Sequence, residues 1–188
     1  MLTEKSVGQF TEHVASQGHA MAGATIAASA AMACSLGEAC LRLNAPLVPR
    51  PDADLATHLA GQLVDVRDRL LALTNADGDA ITAFAALRAA GKTLEGQELL
   101  CQMPTEMARL AGAAAGLLQQ FRPCIVWAQD DLEMAITLLA GAGRAASLLL
   151  DSNLRLWPDP PLLAQFEPEL AARRAEIGRV KLVERIRP

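Results

Sequence analysis

The apolar residues of this chain are mostly alanine and leucine, and this choice constrains the fold more than any other feature. Apolar residues make up 52 % of the 188 positions, yet the chain has four Phe, two Trp and no Tyr. Helices accept Ala and Leu readily, whereas the runs of β-branched and aromatic residues that strands favour are nearly absent. The composition therefore predicts an all-α fold, and the length suits a single domain over residues 1–188.

Apolar spacing and helix-ending residues divide the chain into six predicted helices. Ser6 and Gln9 have the spacing of a capping box, and Asp130 with Glu133 repeats that pattern. Gly91 is a plausible C-terminal cap for a long third helix that opens at Asp52 or Asp54 and has a kink point at Gly78. The predicted helices cover residues 6–17, 22–43, 52–91, 94–121 with a kink or restart at Pro104, 130–150 and 162–186.

The charge content predicts how such helices assemble and what they avoid. Charged residues are only 20 % of the chain, so an Ala-rich bundle of long helices has apolar surface to cover, and we expect a homodimer. The net charge is −4 and the basic residues are not clustered along the chain, which argues against binding to nucleic acid or to a membrane surface. The apolar segment 22–41 contains Glu38 and lacks a basic leader, so we expect a cytoplasmic protein.

Nucleophile and metal motifs are missing from the sequence. The cysteines show no C-x-x-C spacing and the histidines no ligand spacing, which favours free buried thiols and no metal site. Signatures such as G-x-S-x-G and the phosphate-binding glycine loops are absent as well. The residues concerned are Cys34, Cys40, Cys101, Cys124, His13, His19 and His58.

Two places nevertheless offer polar chemistry. The small-residue turn Met21-Ala22-Gly23-Ala24-Thr25 leads into a helix, whose free N–H groups can bind an anion or a carbonyl oxygen. The alternative is that these small residues only permit close helix packing. Asp130-Asp131 stand at the start of the fifth predicted helix, which also carries Arg144, with Asn153 further on, and paired carboxylates can share a proton or stabilise a cation. The alternative there is a pair of helix caps.

Several short motifs follow one another in an order that resembles a known family. In register and spacing they resemble the cyclodeaminase domain of formiminotransferase-cyclodeaminase and its relative methenyltetrahydrofolate cyclohydrolase, over roughly residues 5–155. The matching elements are Ser6-Val7-Gly8-Gln9-Phe10, Ala15-Ser16, the Ala-rich segment from Ala27, Ala83-Phe84, Pro104, Asp131, Arg144 and Asn153-Leu154.

The chain departs from the family pattern at three places. The family's Pro-Gly-Gly-Gly-Ser loop reads Ala22-Gly23-Ala24 here, with His19 and Met21 where its Pro and neighbouring residues stand. The lysines after the Ala-rich helix are replaced by the segment 45–50. In the family's Asp-x-x-Ala-Phe element the acidic position is Ala80, which leaves Asp77 or Asp79 as substitutes.

The resemblance implies a helical homodimer that binds a reduced, folate-type pterin in a cleft, with no cofactor beyond that substrate. It implies cyclohydrolase or cyclodeaminase chemistry on a one-carbon amidine. In this assignment Asp131 stabilises the cationic amidinium, and Asp77 or Asp79 carries the proton. The substrate-binding residues are Ala22, Gly23, Ala24, Thr25, Arg144 and Asn153.

Two alternatives to this enzyme remain open. One is a catalytically silent relative that keeps the fold as a dimeric pterin-binding or assembly protein, which the altered glycine loop and missing lysines favour. The other keeps a pterin whose tail lacks the folate glutamates.

Overall fold

The structure is a computed structural model that describes residues 1–17 and 21–186. Within those residues it contains helices and no strand, which confirms the predicted all-α fold. Single turns of 3-10 helix lie at Leu2–Glu4 and Arg122–Cys124. The α-helices are α1 (Val7–Ser16), α2 (Ala22–Asn44), α3 (Arg50–Ala89), α4 (Thr93–Phe121), α5 (Gln129–Leu156) and α6 (Pro160–Gly178).

Helices α2 to α5 form the bundle. Helix α2 packs against α3 and α5, and α4 packs against the same two from the other side. Helix α6 lies across α4 and α5, whereas α1 buries none of its residues. The C-terminal end of α2 hydrogen-bonds to the segment just before α5, so these two neighbours run antiparallel.

Small side chains on the helices let the bundle close tightly. A Cβ added at Gly37 of α2 would lie 2.7 Å from a Leu118 methyl carbon of α4. One added at Gly143 of α5 would lie 2.7 Å from a carbon of Ile177 in α6. Real Cβ atoms do not approach so closely, so both contacts depend on glycine.

Helices α2 and α5 are long and apolar enough, by length and composition alone, to cross a bilayer. In each, 56 % of the apolar window is buried inside the bundle. Glu38 of α2 is also buried and pairs with Arg42 and Arg67. A bundle's central helices have this same composition, so length and composition by themselves do not make either one a membrane span.

The ends of two helices follow the predicted chemistry. Ser6 accepts a hydrogen bond from the Gln9 backbone, and the Gln9 side chain accepts one from the Ser6 backbone, as in a capping box. At the end of α3, Gly91 has φ 76°. The Lys92 N–H donates to the Leu87 carbonyl and the Gly91 N–H to that of Arg88, which is a Schellman motif.

Predicted boundaries of α3, α5 and α6 were wrong, and α5 runs to Leu156 rather than to about Leu150. Helix α3 begins at Arg50, before the predicted Asp52 or Asp54, and Pro51 lies in its first turn. Proline is favoured in the first turn of a helix, so the helix can begin there without an aspartate cap. Helix α5 begins at Gln129 after Ala128, which has φ 56°, and no side chain caps it. Glu133 cannot complete a capping box there, since its carboxylate binds the Arg122 guanidinium through two hydrogen bonds of 2.7 Å.

Helix α6 also ends earlier than predicted, at Gly178 rather than near Ile186. Val180 and Leu182 pack on the main core, so the chain after Gly178 leaves the axis of α6. The Lys181 N–H donates to Gln119, and the Lys181 carbonyl accepts from Arg122. Tertiary contacts thus replace the last predicted turns of α6.

Asn44, which is fully buried at the end of α2, fixes the segment before α5. Its carbonyl oxygen accepts from the backbone N–H groups of Val126 and Trp127, and its amide donates to the Cys40 and Trp127 carbonyls. All four distances lie between 2.8 and 3.0 Å. One side chain therefore satisfies both the helix end and the connecting segment.

We expect Asn44→Ala to lower the free energy of unfolding by about 2–3 kcal/mol, because it leaves buried backbone groups without partners. Urea denaturation measures this, and hydrogen exchange at the Val126 and Trp127 amides should accelerate. Asn75→Ala is the control, since Asn75 bonds to Thr3 in an exposed position and its loss should cost less than about 0.5 kcal/mol. Equal losses in the two variants would contradict the role given to Asn44.

Candidate active site

The start of α2 holds a carboxylate from the middle of α3. The Asp77 Oδ2 atom accepts a hydrogen bond of 2.7 Å from the Ala24 backbone N–H. The first N–H groups of a helix have no partner within it, and the positive end of the helix dipole stabilises negative charge. At residues 21–25, where the sequence predicts an anion site, a carboxylate of the chain itself therefore accepts from the helix start.

Gly23 makes this approach possible. A Cβ at residue 23 would lie 2.1 Å from Asp77 Oδ1 and 2.6 Å from the carboxyl carbon. Any side chain at this position must displace Asp77. The one glycine left in the sequence Ala22-Gly23-Ala24 is thus the one that the carboxylate requires.

Asn153 and Pro104 form a second polar arrangement at the same end of the bundle. Pro104 lies inside α4 and has no N–H, so the Leu100 carbonyl one turn earlier lacks its helical donor. The Asn153 amide of α5 donates to that carbonyl at 2.8 Å. Asn153 therefore repairs the hydrogen-bond defect that Pro104 creates and holds α4 and α5 together at this level.

These two arrangements border one pocket. Its volume is about 160 Å³, and most of its lining is apolar. Helices α2, α3, α4 and α5 all contribute to it. The lining residues are Ala22, Gly23, Asp77, Ile81, Leu100, Met103, Pro104, Leu149 and Asn153.

The structure separates the other predicted residues from this pocket. Asp79 is exposed and Ala80, at the family's acidic position, is buried, so Asp77 is the α3 carboxylate that reaches the site. The Thr25 hydroxyl donates to the Met21 carbonyl, beside a different cavity. Arg144 lines a third cavity between α5 and α6, together with Arg174.

Asp131 lies at the far end of the bundle. Burial and, after it, the nearby charge of Asp131 raise the pKa of the Cys40 thiol, and Cys40 is near the C-terminal end of α2. From Cys40 back to Ala22 is about 27 Å at 1.5 Å per helical residue. Within one chain, Asp131 therefore does not share a cleft with Asp77.

The described residues offer no alternative nucleophile at the pocket. All four cysteines are free, as predicted, and three of them are buried. Burial raises the pKa of Cys34 to about 12 and those of Cys40 and Cys101 to about 11, so these thiols stay protonated and unreactive near neutral pH. His19 lies outside the described residues.

A model of the formiminotransferase-cyclodeaminase family matches residues 6–172, which is most of the chain. The chain belongs to this family. The match covers the opening helix, the turn before α2, Asp77, Pro104 and the length of α5. The resemblance inferred from short motifs is thereby confirmed.

The fold agrees with a solved member of the family. The crystal structure of formiminotetrahydrofolate cyclodeaminase from Thermotoga maritima superposes with a TM-score of 0.83 and covers 95 % of this chain and 92 % of its own. The two sequences are 18 % identical, so the likeness establishes the shared fold. A comparison with curated proteins gave no match.

Sequence reasoning missed part of the pocket. Ile81, Met103 and Leu149 are ordinary apolar residues, and nothing in their spacing marks them as pocket lining. Pro104 carried a signal, since a proline inside a helix requires another donor for the carbonyl one turn earlier. That signal predicts a partner but not which helix supplies it.

We expect Gly23→Ala to destabilise the protein even though alanine is the better helix former. Its methyl group collides with Asp77 and breaks the bond to Ala24, so the free energy of unfolding should fall by about 1 kcal/mol or more. Gly116→Ala is the matched control, because Gly116 lies in a helix with open space around its Cβ position. It should gain up to about 1 kcal/mol. A gain at Gly23 as well would refute the proposed contact.

A double-mutant cycle tests the pairing of Asn153 with Pro104. Asn153→Ala should cost about 1–2 kcal/mol, because the Leu100 carbonyl then has no donor. In a Pro104→Ala background the backbone N–H of residue 104 can take that carbonyl, so the same substitution should cost clearly less. Additive losses in denaturant titrations would show that Asn153 acts through other contacts.

Proposed function

We propose that this protein binds a folate-type tetrahydropterin and catalyses cyclohydrolase or cyclodeaminase chemistry on its one-carbon group. Membership in the formiminotransferase-cyclodeaminase family points to folate one-carbon chemistry of this type. The single observation that carries the assignment to a site is the Asp77 carboxylate, held by the Ala24 N–H on the wall of a largely apolar pocket.

Both the cyclohydrolase and the cyclodeaminase reaction benefit from a fixed negative charge beside a cationic group of the substrate. A cyclohydrolase adds water to the methenyl carbon between N5 and N10, releases a proton, and opens the adduct to a formyl group. A cyclodeaminase joins N10 to a formimino carbon on N5 and expels ammonia. Both reactions pass through a cationic amidine or its tetrahedral adduct, so a preorganised carboxylate stabilises the charge.

Asp77 suits this role because its position does not depend on the substrate. The Ala24 N–H anchors one carboxylate oxygen, and Ile81, Met103 and Leu149 line the same pocket with apolar side chains. A half-buried carboxylate beside apolar side chains interacts more strongly with a cation than a fully exposed one does. The same group can accept the proton that the attacking water loses.

A silent family member is the second candidate, and one observation favours it. The pocket of about 160 Å³ is smaller than the 300 Å³ or more that is usual for ligand sites of drug-like size. Such a protein would keep the bundle and the Asp77 contact as structure alone. Turnover and ligand binding separate the two candidates.

We expect Asp77→Asn to lower turnover on methenyl-tetrahydrofolate or formimino-tetrahydrofolate by about a hundredfold or more. The asparagine oxygen can still accept from the Ala24 N–H, so the fold should survive while the negative charge is lost. Loss of methenyl absorbance and release of ammonia measure the two reactions. Thermal unfolding of the variant checks its stability.

Asp79→Asn is the matched control, since Asp79 is exposed two residues away and should leave turnover unchanged. Equal turnover in the parent and in Asp77→Asn would remove Asp77 from the chemistry. A parent that binds reduced pterins but turns over neither substrate would support the silent relative. A parent that neither binds nor reacts would overturn the proposed ligand.

A further inference from the structure

The cavity between α5 and α6 is larger than the Asp77 pocket. Its volume is about 340 Å³, against about 160 Å³ for the pocket, which brings it into the range of small-molecule sites. Most of its lining is apolar. The residues that line it are Arg144, Ser147 and Leu148 of α5 and Arg174, Ile177 and Gly178 of α6. We call it the α5–α6 cavity.

This cavity and the Asp77 pocket lie on different sides of α5. Arg144 and Leu149 are five residues apart, and so are Leu148 and Asn153. At 3.6 residues per turn, a separation of five residues places two side chains about 140° apart around the helix axis. The first residue of each pair lines the α5–α6 cavity and the second lines the Asp77 pocket. A ligand held in the pocket therefore does not occupy this cavity of the same chain.

Close packing of α6 on α5 forms the floor of the α5–α6 cavity. Ser147 and Ile177 are both buried. A Cβ at Gly143 would lie 2.7 Å from an Ile177 carbon, so glycine there sets the close approach of the two helices. The Ser147 hydroxyl donates to the Gly143 carbonyl at 3.0 Å. The floor is thus fixed by the fold itself, before any ligand is present.

The charge of the cavity is positive. Its lining contains two arginines and no acidic residue. Within the described part of the chain, Arg144 is exposed and makes no hydrogen bond or ion pair. Arg174 donates from Nη2 to Asp151 at 2.9 Å in a half-exposed pair, and its other N–H groups have no partner among the described residues. Most guanidinium donors at the cavity are therefore open to a ligand.

The end of α6 does not account for these two arginines. Basic side chains near the C-terminal end of a helix often pair with its last carbonyl groups. Here the Glu176 carbonyl accepts from the Arg179 N–H and the Ile177 carbonyl from the Val180 N–H, both at 3.1 Å. The backbone that follows the helix already satisfies these carbonyls, and neither cavity arginine bonds to them.

Two open guanidinium groups beside apolar side chains suit a ligand of mixed character. The planar arginine fork can bond two oxygens of a phosphate or carboxylate at once. Leu148 and Ile177 offer an apolar wall next to these forks, and the arginine stems extend it. An anionic group attached to an apolar body matches both features.

We propose that the α5–α6 cavity is a second ligand site, which binds a small molecule that carries a phosphate or carboxylate group on an apolar body. Arg144 and Arg174 bind the anionic group, while Leu148 and Ile177 contact the body. The inference goes beyond the proposed function and does not depend on it. It gives Arg144 a ligand other than the pterin, from whose pocket the structure separates this side chain.

NMR titration with phenyl phosphate, benzoate and inorganic phosphate tests the site without any pterin. Phenyl phosphate or benzoate should shift the backbone amides of Ser147 and Gly178 and leave those of Gly23 and Ala24, at the Asp77 pocket, unchanged. The aromatic probe that binds more tightly identifies the anionic group as phosphate or carboxylate. Inorganic phosphate should bind about tenfold more weakly than phenyl phosphate, because it covers no apolar surface.

The absence of a saturable shift at Ser147 and Gly178 with both aromatic probes at millimolar concentrations would overturn the proposal. Shifts confined to Gly23 and Ala24 would overturn it too. Neither result involves turnover or pterin binding, so both leave the proposed function standing.

Substitutions separate a built anion site from general attraction to positive charge. Arg144→Gln should weaken the tighter aromatic probe by about tenfold or more, because charge-assisted hydrogen bonds are lost. Arg144→Lys should recover only part of that affinity, since lysine has no fork. Arg155→Gln is the matched control, because Arg155 is exposed on the same helix outside the cavity lining, and it should leave affinity unchanged. Equal affinities in the parent and in Arg144→Gln, or equal losses in Arg144→Gln and Arg155→Gln, would refute the site.

Discussion

The close approach of α2 to its neighbours is the constraint on which the rest of the structure depends. Its buried face consists largely of alanine and glycine, so α3, α4 and α5 can pack near its backbone rather than against long side chains. At Gly37 this approach admits Leu118 of the opposite helix. At Gly23 the same close approach admits the Asp77 carboxylate instead. The small residue that permits helix packing there therefore also places a charged group at the pocket.

Three side chains then satisfy backbone groups that the helices leave unpaired. Asp77 accepts from the first turn of α2, Asn153 donates to the carbonyl freed by Pro104, and Asn44 bonds both sides of the segment before α5. Each joins an element to another that is distant in sequence. Because a buried unpaired backbone group is costly, these bonds fix the relative heights of the helices. Two of the three lie at the pocket, which links its shape to the stability of the bundle.

The sequence predicted much of this site but grouped its parts differently. The small-residue turn, Asp77 and Asn153 do meet, because helix starts attract carboxylates and because α2 and α5 run antiparallel. Asp131 was matched to the family by spacing along the chain, and spacing does not show which end of a bundle a residue occupies. The bundle places it far from Asp77.

The sequence by itself determined the helices, since Ala and Leu content, a capping box at Ser6 and a glycine at residue 91 are local properties. The sequence also indicated the family, because its short motifs follow one another in the order that the family shows. Only the tertiary structure decided which of Asp77, Asp79 and Asp131 faces the pocket, because that choice depends on how helices distant in sequence are packed. The early end of α6 had the same origin, since contacts with Gln119 and Arg122 outweighed local helix propensity there.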